Sequence, residues 1–166
     1  MNFNGSIYAF SKELKLLIGT FIIVLSIGFF SGLLFVEETS SSNPAGIEEQ
    51  YLGNETDEDA EVMKFKKSEQ EMLTLVHNHI LSMSIIFFLV GMILNTCQFN
   101  KKLKLFLMIE PFLSVVLTFG GLFLLWQGML WMKYIVMVSG FLMTLTYGIS
   151  VGIILFQLTR NKTVEL

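Results

Sequence analysis

The chain has 166 residues, 53% of them hydrophobic and only 15% charged, with a mean hydropathy of +0.64 and a formal net charge of −3. That excludes an ordinary soluble domain, in which charged residues take about a quarter of the sequence, and leaves lipid as the solvent for much of the surface. Residues 37–71 hold eleven acids and three lysines, a balance of −8, while the remainder holds eight bases and three acids, a balance of +5.

A membrane span needs roughly 20 apolar residues to cross about 30 Å of hydrocarbon, and four stretches qualify: 14–36, 73–94, 103–126 and 134–158. Period-2 alternation is missing, so helices and not a barrel are predicted. The expected fold is all-α: one membrane domain over 1–166, a membrane-embedded four-helix bundle with a roughly 35-residue extracytoplasmic loop, 37–72, between the first two helices.

Lys12 and Lys15 precede the first span and Glu37 follows it. Its apolar run of about 22 residues is too long for the 7–15 of a signal-peptide core, and no small-x-small cleavage site follows, so a retained helix is expected. Gly28 and Gly32 stand four apart on it, a spacing that lets helices approach closely.

The outer loop opens on the turn-rich Ser40-Ser-Ser-Asn-Pro44-Ala-Gly46. Its 46–54 piece carries enough apolar character to lie across the mouth of the bundle, whereas 55–61 reads as a solvated acidic run without the spacing of a calcium loop. Asn54-Glu-Thr56 is a formal glycosylation acceptor, relevant only in a eukaryotic secretory membrane.

Both histidines of the chain sit near the start of the second span, in Leu75-Val-His77-Asn-His79-Ile. An ionisable residue inside a membrane is costly to bury and is a functional candidate for that reason. Thr74, His77, Ser84, Gly91 and Asn95 form a polar and small stripe expected to face the bundle interior. His77 lies on that stripe, and His79 points about 200° away from it, so the pair cannot clasp one metal from a regular helix. A haem or metal ion bound through His77 or His79 needs its remaining ligand from a methionine, a loop carboxylate such as Glu71, or a second copy.

In the third span Glu110 precedes Pro111. Proline is tolerated in a first turn, so Glu110-Pro111 reads either as the true start of the helix, with Lys101, Lys102 or Lys104 neutralising the acid, or as a buried carboxylate able to carry a proton or cation. Ser114 and Thr118 on this span, and Gly140, Thr144, Gly148 and Gly152 on the fourth, are spaced as packing ridges. Trp126, Trp131 and Tyr134 gather where the last two spans turn, as interfacial anchors do.

Lysine and arginine counts orient the chain. With both termini cytoplasmic, Lys12, Lys15, Lys101, Lys102, Lys104, Arg160 and Lys162 lie inside, against Lys64, Lys66, Lys67 and Lys133 outside. The short connections after the second and third spans make those neighbours antiparallel and adjacent. Basic residues fall at span ends without interleaved aromatics, which excludes nucleic acid as a partner. Cys97 stands alone, so no disulfide forms within the chain. No phosphate loop, zinc-protease pair, serine elbow or kinase set occurs, and a non-enzyme is expected.

Pro44-Ala-Gly-Ile-Glu-Glu-Gln-Tyr-Leu-Gly-Asn54, Met63-Lys-Phe-Lys-Lys-Ser68 and Glu71-Met-Leu-Thr-Leu-Val-His77-Asn-His79 resemble the loop-to-helix segment of uncharacterised bacterial four-helix integral membrane proteins. The resemblance implies a bacterial inner membrane and a loop that works as one unit with the histidine pair. Taken together, the expected function is an accessory, assembly or interaction subunit that presents the acidic loop, in contact with the bilayer and with other membrane subunits or further copies of itself. The alternatives are a haem- or metal-binding redox protein using His77 or His79, and a small proton-coupled transporter or channel using Glu110.

Overall fold

A computed structural model describes residues 5–40, 43–55 and 62–160. The membrane part is four long apolar helices. The first is α1, Lys12–Ser40. After it come a short α2, Pro44–Leu52, and the second long helix, α3, Glu69–Thr96. The third is continuous from Lys101 to Trp126 but irregular, with α4, Lys101–Val115, a π-helical turn at Val116–Gly120, and α5, Gly121–Trp126. The last is α6, Met132–Thr159.

Local devices fix the ends of α3 and the start of α4. Ser68 and Glu71 form a capping box at the start of α3, in which Glu71 Oε2 accepts from the Ser68 N–H at 2.8 Å. That satisfies two of the donors every helix leaves orphaned at its start. The Asn100 carboxamide accepts from the N–H groups of Lys102 and Leu103, which starts α4 well before Pro111. At the other end of the tight turn, Lys104 Nζ donates to the Asn95 and Cys97 carbonyls that close α3, as a cation at a helix C-terminus should.

The third span packs centrally against α3 and α6, and half of its most apolar window is buried, against 6% for α1. Buried residues on α6 are Met132, Val136, Ser139, Met143, Thr146, Tyr147, Ser150, Val151, Ile154 and Gln157, steps of three and four that keep to one face. They meet Leu107, Ser114, Val115, Thr118 and Leu122 of the third span. Gly121 permits the closest approach, since a Cβ there would stand 2.9 Å from Val136 Cγ2.

Polar links stitch the bundle at three heights. Ser139 Oγ donates to the Ile135 carbonyl at 2.8 Å, so Thr118 is the donor in its 2.7 Å bond to Ser139. Ser26 Oγ likewise donates to the Ile22 carbonyl, which makes Tyr147 the donor in its 3.1 Å bond to Ser26. At the end of the bundle where the chain starts, here the base, the Gln157 side chain bonds both the N–H and the carbonyl of Gln98, at 2.8 and 3.0 Å. Cys97 is buried beside this clamp, and desolvation, only partly offset by Lys104, pushes its thiol up to about 11. At neutral pH that leaves on the order of 100-fold less thiolate than an ordinary cysteine. Maleimide labelling of the folded protein in mild detergent should be slower than labelling of the unfolded chain by at least that factor, and equal rates would contradict this placement.

The opposite end is capped. Here α1 runs to Ser40 and α3 begins at Glu69, so the connection is shorter than the 37–72 expected, and α2 gives part of it regular structure. Its N-cap Asn43 accepts from the Gly46 N–H at 2.8 Å, and Pro44 sits at the first helical position. The cap packs on α1, α5 and α6, with Ile47 buried, which places the 46–54 segment over the bundle mouth as its apolar content indicates. Burial also raises the Tyr51 hydroxyl above the usual tyrosine range.

Candidate functional site

The cap and the first turns of α3 form one unit through contacts that sequence spacing does not show. Trp126 Nε1 donates to the Lys67 carbonyl at 2.7 Å, and Lys66 lies over the same indole ring. Lys133 pairs with Glu48 at 2.5 Å, and Lys64 Nζ donates to the Thr39 carbonyl at 2.9 Å. Asn54 closes the strap, accepting from the Lys64 N–H and donating to the Val62 carbonyl. The amide proposed as a glycosylation acceptor is therefore engaged inside the protein, while Thr56 and the rest of the acidic run, 56–61, lie outside the described residues, as does Lys162. Trp131 and Tyr134 are exposed near the cap, whereas Trp126 is half-buried and bonded to the segment that leads into α3.

The histidine segment is where structure and expectation part. α3 turns Met72, Phe87, Val90, Gly91 and Leu94 into the bundle and leaves Thr74, His77 and Asn95 exposed; Ser84 is half-buried. Among members of the expected interior stripe only Gly91 is buried. The apolar residues of α3 recur at steps that hold one face, and their larger side chains fill the space between helices. The consequence is a polar outer face near the cap: Gln70, Glu71, Thr74, His77 and Asn78 all point away from the other helices. Asn78 lies nine residues past Glu69, about 14 Å along the axis at 1.5 Å per residue. Ser68, Gln70, Glu71, Thr74, Leu75, Asn78 and His79 line an open groove on this face.

His79 flanks the groove. Its ring stacks on Phe119 of the π-helical turn with centroids 4.7 Å apart, and its Nδ1 lies 2.8 Å from the Leu75 carbonyl. A carbonyl only accepts, so Nδ1 is the donor in that contact. Glu71 is committed to the capping box, and among the described residues no three of His, Cys, Asp and Glu gather as a metal-ligating group.

The second candidate lies deeper. Because α4 starts at Lys101, Pro111 is inside the helix and Glu110 is nine residues in, so the reading of Glu110-Pro111 as a helix start is corrected by the Asn100 cap. Glu110 is 7% exposed; its Oε1 accepts from the Ser114 hydroxyl, and Oε2 is buried without a hydrogen-bond partner.

The expected packing ridges divide. Ser114 and Thr118 are buried at the contact with α6. Gly28, Gly32, Gly148 and Gly152 are exposed, and a Cβ added at any of them would meet nothing within 4 Å. Gly140 and Thr144 are half-buried between these extremes. Steps of four residues advance about 400°, so each turns about 40° further, and the series winds off the contact face by its end.

The family model of a transmembrane helical domain matches residues 41–165, three quarters of the chain. The chain belongs to that family. Its matched region takes in the cap, α3, the third span and α6, and leaves α1, the least buried helix, outside. No curated protein and no solved structure matches the chain.

Proposed function

We propose that this is an interaction subunit of the membrane, docking through the polar outer face of α3 onto another membrane-embedded helix and presenting the cap beside that contact. The observation that supports this reading is the direction of Thr74, His77 and Asn78, which α3 turns away from its own bundle at membrane depth. Hydrocarbon offers no hydrogen bonds, so side chains of this kind are satisfied when a neighbouring helix supplies donors and acceptors. Asn78 and His77 each offer both, so a second copy paired across a two-fold axis meets the requirement as well as a different subunit does.

In this reading the cap lies outside a bacterial inner membrane. The six described bases at the base, Lys12, Lys15, Lys101, Lys102, Lys104 and Arg160, then face the cytoplasm. On the cap side Lys64 and Lys133 are already engaged with Thr39 and Glu48.

Purification from mild detergent at native expression should yield a complex, either a homodimer or a defined heteromer. The double variant Thr74→Leu, Asn78→Leu should fold and lose that partner. A chain that emerges alone and monomeric in every mild detergent would overturn the proposal.

A further inference from the structure

We infer that Glu110 is a binding site for a small monovalent cation, H⁺ or Na⁺, inside the bundle. The carboxyl group is more than nine-tenths buried, one oxygen is taken by Ser114, and the other faces no donor. An unpartnered carboxylate in a membrane interior is among the costliest groups a span can carry, and a bound cation removes that cost.

Among the described residues the surroundings offer no side-chain cation at this height. Glu110 stands nine residues above Lys101, about 14 Å along the helix. Lys101 and Lys102 are exposed at the base, and Lys104 is bound to the Asn95 and Cys97 carbonyls. On α3, Glu69, Glu71, His77 and His79 all lie toward the cap, and Cys97 closes the base. On α6, Lys133 pairs with Glu48, Tyr134 is exposed at the cap end, Tyr147 bonds Ser26, and Arg160 lies over Phe156. The π-helical turn and α5 carry no titratable side chain.

The helix itself supplies a further oxygen. Pro111 brings no N–H to the Leu107 carbonyl one turn below, which leaves that acceptor without its usual helical bond. Carboxylate, hydroxyl and carbonyl oxygens are the donor set that hard cations take, and a single carboxylate suits a single positive charge. The π-helical turn follows within two turns, a departure from regular helix often found at functional positions.

Dicyclohexylcarbodiimide separates the two cations. The acid O–H adds across one C=N bond to give an O-acylisourea, which rearranges to a stable N-acylurea detectable by peptide mass spectrometry. In native membranes Glu110 should acquire this adduct, and Glu110→Gln should lose it. A proton site gives labelling that declines as pH rises and ignores salt. A sodium site gives labelling suppressed by NaCl but not by choline chloride at the same ionic strength. No adduct, or an adduct indifferent to both pH and NaCl, overturns the inference. Melting temperature supplies the independent arm: its dependence on pH or NaCl should vanish in Glu110→Gln, and full retention of that dependence also overturns it.

Discussion

Tyr147→Ala should detach α1 from the rest of the bundle, at a cost of about 3–5 kcal/mol for deleting a large buried aromatic. Tyr147 is fully buried, stacks on Phe29 at 4.0 Å between centroids, and meets Phe30 and Phe87 edge-on. Aromatic pairs of this kind add about 0.5–1.5 kcal/mol beyond area. The hydroxyl also bonds Ser26, a polar link between α1 and α6. Within the bundle α1 is otherwise held by the buried Ile22, and at the cap by α2 and Lys64, while its most apolar window is only 6% buried. Tyr147→Phe keeps every ring contact and should cost only about 1 kcal/mol, the size of one hydrogen bond between membrane helices. Thermal unfolding in detergent, read with proteolysis at the start of α1, checks both. Equal effects from the two substitutions would show that the hydroxyl, and not the ring cluster, docks the helix.

Gly46→Val should lift the cap, with a loss of about 3 kcal/mol, the upper range for forcing atoms into a packed site. A Cβ at Gly46 would lie 1.9 Å from the Ser40 carbonyl oxygen and 2.8 Å from its carbon. Those are backbone atoms at the end of α1, so no side-chain rotation relieves the clash and α2 must move. Displacing α2 separates Glu48 from Lys133 and strains the Trp126 bond to Lys67. The expected signature is trypsin cleavage at Lys64, Lys66 or Lys67 together with a red-shifted tryptophan emission. Glu48→Ala removes only a half-exposed ion pair, which water and salt screen, so the smaller of the two effects belongs to it. Unchanged protease resistance in Gly46→Val would show that α2 does not seal the bundle end.

The spans were legible because each is a long apolar run closed by charge, and the bilayer leaves helix as the only economical backbone. Cap placement was legible too, from Ile47, Tyr51 and Leu52 within an otherwise acidic connection. Which face of α3 turns inward was not. Thr74, His77 and Ser84 mark a stripe, but a stripe says only that two faces differ, and the packing of Phe87, Val90 and Leu94 against the third span decides which is inside. The glycine series of α6 misled for a related reason, since Gly148 and Gly152 share a row with Gly140 but not its face. Glu110 turned on one residue: the Asn100 cap sets the helix start, and with it the depth of the carboxyl group. Trp126 shows the same limit, because its position predicts an interfacial ring while its bond to Lys67 depends on a chain segment 59 residues away.

The central claim is that the polar face of α3 lies against another helix in the membrane, and cross-linking single cysteines in a Cys97→Ser background tests it most directly. Asn78→Cys should join to a second copy or to a partner polypeptide in native membranes. Val138→Cys and Phe141→Cys, on an exposed apolar face of α6, should not. An Asn78→Cys variant that stays as uncoupled as those two would mean that this face meets lipid, and would contradict the account.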